Sequence, residues 1–361
     1  MLDPNCALET DMAIDVPAPV IRIVSPLDRP DWDAQVATLP ATSFFHGQAW
    51  AKVLNATYGY VPSYFIAESG SALLGVLPFM EVDSWLTGRR GVGLPFTDEC
   101  AMLANDARTS SALLAALRTH ASHRKWKYAE CRGAMLGINE VASSAFWAHS
   151  LELHEDEAAQ LSLVTKSAKG VIKKLGQSAL QVEVSQSLQA LREFHGLLCK
   201  TRKRHGVPPQ PFSFFENIYR HILAANQGCV VLAKSGGVPA AGAVYLHSGK
   251  SAVYKYAASD EAFKHLSANS LVMWKGIRWH AEKGFKTLNF GRSALTNEGL
   301  RKFKLSWGPS EYRLDYFRHD TELQKFVLAP DEGSAWQSRV FNALPTNISR
   351  ALGAFLYKHA A

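Results

Sequence analysis

The sequence predicts a mixed α/β fold class, with helices packed on mixed sheets in two tandem halves. Three observations support this prediction. The 361 residues exceed one average domain, so two domains of ordinary size are expected. In both halves, short apolar runs joined by tight turns alternate with helical patterns of apolar residues. Residues 251–291 read as a strand, a turn, a helix and a second strand, an order that places the free N–H groups of the helix start beyond the end of the first strand.

The first half is predicted to span residues 19–155, after a disordered leader at 1–18. Apolar runs bounded by turn residues predict its strands, and the sequence Ser-Gly-Ser at 69–71 predicts a hairpin between two of them. A loop rich in glycine and proline covers residues 88–100. The predicted strands are 20–25, 62–68, 72–81, 127–131 and 146–154, and the predicted helices are 29–39, 46–56 and 108–123.

The second half is predicted to span residues 156–322. Apolar residues recur at a helical period from Leu188 onwards, and the prolines at 208, 209 and 211 end that helix. Gly284 can adopt the left-handed conformation that ends the helix at 269–282. The other predicted helices are 166–175 and 213–225, and the predicted strands are 180–184, 229–233, 240–247, 251–260 and 286–291. Residues 323–361 are predicted to be an amphipathic helical tail that docks on the second domain.

Composition indicates a globular protein that stays in the cytoplasm. The chain is 47% hydrophobic and 20% charged, and it contains no apolar run of about 18 residues that could span a bilayer. Its N-terminus has no basic segment before an apolar core, so no signal peptide is predicted. The five cysteines form no CxxC pair and are predicted to be buried or incidental thiols. We predict no metal site.

The formal charge of +7 indicates a polyanionic partner or substrate. Basic residues cluster at 166–174 and at 200–205. These clusters are either solvated helix faces or binding sites for the phosphates of a nucleotide sugar, a lipid pyrophosphate, CoA or tRNA. A further alternative for the tail at 323–361 is peripheral contact with the cytoplasmic leaflet of the inner membrane.

Several motifs occur in a characteristic order: FHGQAW from residue 45, GLPFTDEC from 93, YAECRG from 128, KRHGVPPQPFSFF from 203, NFGRS from 289 and NEGLRKFKLSWG from 297. In this order they resemble the FemAB-like branch of the GNAT acyltransferases, over roughly residues 20–320. The resemblance implies tandem GNAT-like domains with a cleft at or between them, and a donor site in the second domain. It also implies direct transfer from acyl-CoA or aminoacyl-tRNA, without a covalent enzyme intermediate.

The donor site is predicted at the start of the helix at 269–282. GNAT enzymes hold the CoA pyrophosphate with a loop of the form [RQ]-x-x-G-x-[GA], whose glycines let backbone amides approach the phosphates. The equivalent segment here runs from Lys264 through Ser267 to Asn269, and it lacks both glycines. Lys264, Ser267 and Asn269 are therefore predicted to bind the donor, or else Ser267 or Asn269 only caps the helix.

Three side chains are predicted to carry the chemistry. By resemblance, Lys304 in the FK motif stabilises the negative charge that develops on the acyl oxygen, from a position facing a cleft bordered by residues 264–269. The alternative is a surface lysine beside a buried phenylalanine. Asp98 is predicted to accept a proton from the attacking amine or to orient it, with Glu99 as its rival. Tyr256 is predicted to act as a general acid, or else to pack in the core.

Other polar residues are predicted to bind substrate. Alternation along the YAECRG segment at 128–133 places Glu130 and Arg132 on one face, where they contact the acceptor or only pair with each other. Arg292 follows a strand and either binds a phosphate or carboxylate of the donor or forms a salt bridge to a carboxylate at 311 or 315. The remaining acceptor candidates are His46, Arg202 and Arg204.

Together these features predict an N-acyltransferase that passes an acyl or aminoacyl group to an amine of a cell-envelope precursor. The predicted acceptor is an amino sugar, an exopolysaccharide or a muropeptide precursor, carried on a nucleotide or a lipid. Two other classes of function stay open. One is a non-catalytic scaffold of envelope polysaccharide biosynthesis that keeps the fold. The other is a nucleic-acid-binding protein, whose affinity would fall steeply with salt.

Overall fold

The structure is a computed structural model that describes residues 19–137, 139–176, 178–329 and 346–359. The predicted leader at 1–18 and residues 330–345 of the predicted tail lie outside the described residues. The described residues form ten α-helices: α1 (Trp32–Val36), α2 (Gln48–Tyr58), α3 (Ala107–His123), α4 (Glu157–Leu163), α5 (Lys166–Leu175), α6 (Leu188–Arg204), α7 (Phe212–His221), α8 (Ala268–Glu282), α9 (Glu298–Leu305) and α10 (Thr346–His359).

The same residues form sixteen strands. In the first half they are β1 (Val20–Val24), β2 (Val61–Pro62), β3 (Tyr64–Ser69), β4 (Ala72–Leu77), β5 (Met80–Val82), β6 (Arg90–Val92), β7 (Leu103–Ala104), β8 (Tyr128–Arg132) and β9 (Ser144–Glu152). In the second half they are β10 (Gln181–Ser185), β11 (Gly228–Ser235), β12 (Val238–Ser248), β13 (Ser251–Ser259), β14 (Thr287–Ala294), β15 (Ser310–Asp320) and β16 (Lys325–Val327). The predicted mixed α/β fold class is confirmed.

Two predicted elements of the first half are wrong in extent. The helix predicted over 29–39 has only five residues, in α1. The single strand predicted over 72–81 is two strands, β4 and β5, which belong to different sheets. Pro78 lies between them and has no N–H to donate to a neighbouring strand, so the ladder stops there and the chain crosses to the other sheet.

The strands form two sheets in the described part of the chain. A four-stranded sheet has the order β1-β3-β4-β7. A twelve-stranded sheet has the order β10-β11-β12-β13-β14-β9-β15-β8-β6-β5-β2, with β16 beside β15. Strand β9 of the first half therefore lies between β14 and β15 of the second, and it is antiparallel to both. The predicted boundary at residue 155 stays a prediction, but a single sheet runs through both halves.

The two halves also share a hydrophobic core. Helices α2 and α7 pack together through Trp50 and Phe214, whose rings meet edge to face at a centroid distance of 5.7 Å. Both side chains are fully buried. The indole N–H of Trp50 donates to the Pro95 carbonyl at 3.1 Å, which ties α2 to the glycine- and proline-rich loop. The four described cysteines are buried and unpaired, as predicted.

Strands β13 and β14 separate part of the way along their length, which leaves a gap that we call the strand opening. Their parallel pairing covers only residues 251–253 and 287–289. On its other edge β14 pairs with β9 along residues 287–289 and, after an irregularity between Asn289 and Arg292, along residues 292–294. Gly291 in this bulge has φ +67°, a conformation that residues with a Cβ rarely adopt. The strand opening lies where the two halves meet.

Candidate active site

A cleft of about 880 Å³ lies between the two halves at the strand opening. Both halves line it, and it brings together six of the residues predicted from the sequence. The first half contributes Asp98, Glu130 and Arg132, and the second half contributes Arg202, Tyr256 and Arg292. These six residues therefore meet in one place, although they are separated by up to 194 positions in the chain, from Asp98 to Arg292.

Asp98 reaches the strand opening on a constrained loop. Two non-glycine residues of this loop, Leu94 and Phe96, have left-handed conformations with φ of 52° and 63°. Such conformations cost about 1–2 kcal/mol each and persist only when neighbouring contacts enforce them. Arg132 supplies such contacts, because it donates hydrogen bonds to the carbonyls of Leu94 and Thr97 at 3.3 and 3.2 Å. The loop therefore holds the Asp98 carboxylate in a defined position.

The Asp98 carboxylate lies against the bulge of β14. A Cβ added to Gly291 would lie 2.6 Å from Asp98 Oδ2, so a side chain there would force the carboxylate to move. Two cations face the same group: Lys255 Nζ is 3.5 Å from Oδ2, and Arg292 Nε is 3.8 Å from Oδ1. The predicted alternative partners of Arg292, the carboxylates at 311 and 315, pair with Arg301 and Arg313 instead.

Lys255 on β13 is not among the site residues predicted from the sequence. Its side chain is only 4% exposed, yet it lines the cleft. The rings of Phe45, Trp50 and Tyr256 surround its ammonium at centroid distances of 5.0 to 5.8 Å. Burial lowers the pKa of Lys255, and the nearby arginines lower it further, while Asp98 partly opposes them. In the described part of the chain Asp98 is its one hydrogen-bond partner, which leaves N–H groups of the ammonium for a substrate.

Lys304 is buried, but its ammonium faces the protein backbone. The Nζ atom donates to the carbonyls of Gly291 and Arg292 at 2.9 and 2.8 Å, and the residue is 3% exposed. Burial lowers its pKa to about 8, with Asp98 and Lys255 acting in opposite directions. The predicted position of Lys304, facing a cleft bordered by residues 264–269, is therefore wrong: Lys304 does not line the cavity at those residues. Lys304 instead stabilises the bulge of β14 through these two hydrogen bonds.

Glu130 and Arg132 pair with each other, as one of the two sequence interpretations expected, and they also line the cleft. Glu130 accepts from Arg132 Nε at 3.0 Å and from an Nη atom of Arg318 at 2.7 Å. Burial alone would raise the pKa of Glu130, but the two arginines outweigh burial and lower it. Since Arg132 also holds the loop of Asp98, this network is a support of the site.

The remaining groups of the cleft are aromatic and basic. The Arg292 guanidinium lies over the rings of Phe146 and Tyr316, at 4.1 and 5.0 Å from their centroids. The Arg202 guanidinium has no hydrogen bond or ion pair with any residue that the structure describes, so it is available to an anion. Burial raises the pKa of Tyr256, which makes its hydroxyl a weaker acid than an exposed tyrosine.

A second, smaller cavity of about 230 Å³ lies at the start of α8, and we call it the α8 pocket. It is lined by four of the predicted residues: Arg204, Lys264, Ser267 and Asn269. Ser267 has φ 53°, so it adopts the left-handed conformation without a glycine. Its side chain makes no capping hydrogen bond, and Asn269 donates to Ser259 Oγ at 3.2 Å. The structure thus separates the two arginines of α6 that were predicted to bind the acceptor: Arg202 faces the cleft and Arg204 faces the α8 pocket.

Two other predicted candidates are committed to internal contacts. His46 is 1% exposed, and its ring nitrogens face the Ser43 backbone N–H and the Ala101 carbonyl. Burial lowers the pKa of His46, so it packs as a neutral core residue. Glu99, the rival of Asp98, accepts from the Tyr312 hydroxyl at 2.6 Å, and burial raises its pKa.

No helix among the described residues is both long and apolar enough to cross a bilayer.

No curated protein matches the chain. Residues 164–313 match the sequence family described as the acetyltransferase (GNAT) domain. That segment includes Lys255, Lys304 and the α8 pocket.

Several solved structures share the fold. FemX is 14% identical to this chain, with a TM-score of 0.64 over 82% of this chain and 96% of FemX. The C-terminal domain (DUF2156) of a putative lysylphosphatidylglycerol synthetase from Agrobacterium fabrum is 12% identical, with a TM-score of 0.53 over 92% and 97% of the two chains. A tandem GNAT protein from the clavulanic acid biosynthesis pathway is 10% identical, with a TM-score of 0.52 over 87% and 100%. Residues 164–313 therefore form a GNAT acetyltransferase domain, in a chain whose fold is that of FemX and of a tandem GNAT protein.

Proposed function

We propose that this chain is an N-acyltransferase that passes an acyl or aminoacyl group to an amine of a cell-envelope precursor. The precursor is an amino sugar, an exopolysaccharide or a muropeptide. The observation that carries the proposal is the Lys255 and Asp98 ion pair, which lies in the cleft at the strand opening. A buried ammonium with free N–H groups and a carboxylate beside it are the two groups that transfer of an acyl group to an amine requires.

The donor is an acyl-CoA or an aminoacyl-tRNA, and both carry phosphates. The α8 pocket offers two basic side chains, Lys264 and Arg204, and the N-terminal end of a 15-residue helix, where backbone N–H groups attract anions. Two acidic residues also line the pocket: Asp260 is neutralised by Lys200 at 2.5 Å, and Glu261 still leaves the pocket with an excess of positive charge. The pocket therefore fits a phosphate group, even though it lacks the glycines of a typical GNAT loop.

The reaction forms a bond between the amine nitrogen and the acyl carbonyl carbon, and it breaks the bond from that carbon to the donor sulfur or oxygen. Negative charge develops on the carbonyl oxygen, and the Lys255 ammonium is the group in the cleft that would stabilise it. The amine loses a proton, for which the Asp98 carboxylate is the acceptor. The leaving thiolate or ribose oxygen takes up one proton, and Asp98 releases the proton that it accepted from the amine, so the protons balance. Lys304 would act indirectly, by fixing the bulge against which Asp98 lies.

The acceptor site is proposed on the basic wall of the cleft. Arg202 has no ion-pair partner within the described residues, and Arg292 stacks on Phe146 with its fork directed to the cleft side of β14. Arginine forks bind phosphates and carboxylates through paired hydrogen bonds. Both a nucleotide-linked and a lipid-linked sugar precursor present such groups, and the aromatic rings of the cleft suit the faces of sugar rings.

A transfer assay tests the proposal. The purified chain would be incubated with CoA thioesters or charged tRNAs together with amino-sugar and muropeptide precursors, and products would be identified by mass spectrometry. We expect one donor class to yield an amide. We expect Lys255→Met to lower kcat by about 10²–10³, the usual effect of removing one oxyanion donor, and Lys250→Met, in the exposed turn before β13, to leave it unchanged.

The same assay separates an enzyme from a scaffold. If no donor is consumed in the presence of an acceptor that binds the chain, the transferase proposal fails and the scaffold interpretation replaces it. If transfer occurs but Lys255→Met retains the kcat of the unmodified chain, the proposed role of Lys255 is wrong and the activity must be assigned to another group of the cleft.

A further inference from the structure

An exposed apolar surface lies beside the mouth of the cleft. Trp85 is 79% exposed, Leu86 is 50% exposed and Phe355 is 47% exposed. The first two lie in the turn between β5 and β6, and the third lies on α10. Trp85 and Phe355 are in contact, with ring centroids 6.3 Å apart. We call these three side chains the Trp85 surface. A solvent-exposed tryptophan next to an exposed leucine and phenylalanine marks an interaction site.

The Trp85 surface is held rigidly. The Ser84 hydroxyl lies 2.9 Å from His359 Nδ1, and the Thr87 hydroxyl donates to the His359 carbonyl at 3.0 Å. Arg90 donates to the same carbonyl at 2.7 Å. These hydrogen bonds join the turn between β5 and β6 to the end of α10, and they fix the position of the turn that carries Trp85. This also places α10 across both halves, since Tyr357 donates to the Pro208 carbonyl at 3.2 Å.

The charges around the Trp85 surface are mostly positive. Lys127, which immediately precedes β8, donates a hydrogen bond to the Thr87 carbonyl at 2.9 Å. Lys358 is exposed on α10. Arg89 also lies there, but Asp83 neutralises it at 2.5 Å. Tryptophan with aliphatic neighbours and flanking lysines is the composition of segments that enter the interface of an anionic bilayer.

We propose that the Trp85 surface docks the protein on an anionic membrane surface. Three exposed apolar side chains are far fewer than the roughly 20–30 residues that a stable protein interface uses on each side, whereas each can enter a bilayer interface independently. The neighbouring residues Thr87, Tyr357 and His359 line the cleft, so the cleft opens next to the bilayer. An acceptor attached to a lipid would then enter the cleft from the membrane. The choice of a lipid-linked acceptor rests on the proposed function, but the membrane contact does not.

Sedimentation with lipid vesicles tests the proposal. The full chain, without donor or acceptor, would be mixed with vesicles of phosphatidylcholine alone or with one part in three of phosphatidylglycerol. We expect binding to the anionic vesicles, and we expect Trp85→Ala and Leu86→Ala each to weaken it about tenfold, the effect of withdrawing one large apolar side chain. Lys358→Glu should also weaken binding, and its effect should shrink at high salt.

Matched controls come from the other faces of the molecule. Leu136 is 49% exposed, almost the same as Leu86, but its loop abuts Ala107 at the start of α3. The Trp85 turn instead meets Arg124 at the end of α3, and this helix of 17 residues is about 25 Å long. Leu136→Ala should therefore leave vesicle binding unchanged. Lys302→Glu, at an exposed position on α9 outside both basic clusters, is the control for the change of charge.

Three results would overturn the proposal. The first is no binding of the folded chain to anionic vesicles. The second is binding that Trp85→Ala and Leu86→Ala do not weaken. The third is a dimer, seen by light scattering, that these substitutions dissociate, because the surface would then bind a second copy of this chain. The transfer assay with a water-soluble acceptor is a separate measurement, and both variants should retain that activity. Failure of the membrane contact and failure of the transferase proposal can therefore be told apart.

Discussion

The substitution Lys304→Met tests whether this lysine fixes the bulge of β14. It removes two hydrogen bonds, to the carbonyls of Gly291 and Arg292. A buried acceptor left without a partner costs about 1–3 kcal/mol, so the loss is about 2–6 kcal/mol. Methionine also removes a buried charge. The shift of the Lys304 pKa from 10.5 to about 8 corresponds to about 3 kcal/mol at neutral pH. The net decrease in the free energy of unfolding should therefore be small, within about 3 kcal/mol.

The effect of Lys304→Met on turnover should be much larger than its effect on stability. Without the two hydrogen bonds the bulge can shift, and a displacement of about 1 Å in a reacting group costs about 10²-fold in rate. We expect kcat to fall by that order in the transfer assay. Lys302→Met is the control, because Lys302 is exposed on the same helix. A Lys304→Met variant that folds and keeps the kcat of the unmodified chain would refute this reasoning.

The pH dependence of stability gives a second measurement of the same residue. The pKa of Lys304 is lower in the folded chain than in the unfolded chain, so the unfolded state binds the extra proton. The penalty is fully present below pH 8, and it is relieved as the pH rises from about 8 to 10.5. Relative to Lys304→Met, the unmodified chain should gain up to about 3 kcal/mol of unfolding free energy over this window. If the unfolding free energies of the two proteins, measured with urea, change equally with pH over this window, the ammonium of Lys304 is not buried.

Two further predictions concern the support of the carboxylate. Gly291→Ala should lower kcat at least tenfold, because a Cβ would lie 2.6 Å from Asp98 Oδ2. Gly284→Ala, with a similar φ of +79° and no atom nearer to its Cβ than Lys250 Nζ at 3.8 Å, should show only the conformational cost of about 1–2 kcal/mol. If both variants turn over equally, the contact with Asp98 does not matter. Glu130→Gln should destabilise the chain by about 3 kcal/mol in urea unfolding, because two largely buried arginines, each with a side chain 12% exposed, lose their counter-charge. The pKa of Glu130 in the folded chain is lowered from 4.5. The difference in unfolding free energy between the unmodified chain and Glu130→Gln should therefore be full at neutral pH and vanish as the pH falls through the lowered pKa. A difference that persists in acid would argue against the ion pairs.

Local patterns in the sequence predict most of the elements, since helix periodicity, hairpin turns and glycine caps act over a few residues. They also predict which strand face carries Glu130 and Arg132. They cannot predict that β9 lies between β14 and β15, because that order depends on contacts between residues about 140 to 170 positions apart. Pro78 is the local signal for the break between β4 and β5, but the apolar residues on both sides of it favour one continuous strand.

The functional residues show the same limit. Asp98, Arg202 and Arg292 were predicted from motifs, and the structure brings them to one cleft. Lys255 was missed because its strand reads as ordinary sheet, although a lysine between two tyrosines in an apolar strand is a signal that could have identified it. Lys304 was placed in a cleft by its motif alone, yet the direction of its ammonium depends on the bulge of β14, which no local pattern reveals.

The position of β9 in the sheet has a consequence for how the protein is made. The two strands that flank β9 are β14, which begins at Thr287, and β15, which begins at Ser310. A ribosome adds about 5–20 residues per second, so β9 waits on the order of ten seconds or more for both neighbours. During that interval both of its edges can pair with other chains. A nascent chain of this protein should therefore depend on chaperones more than a protein built from two closed domains, and a fragment ending near residue 155 should aggregate when it is expressed alone.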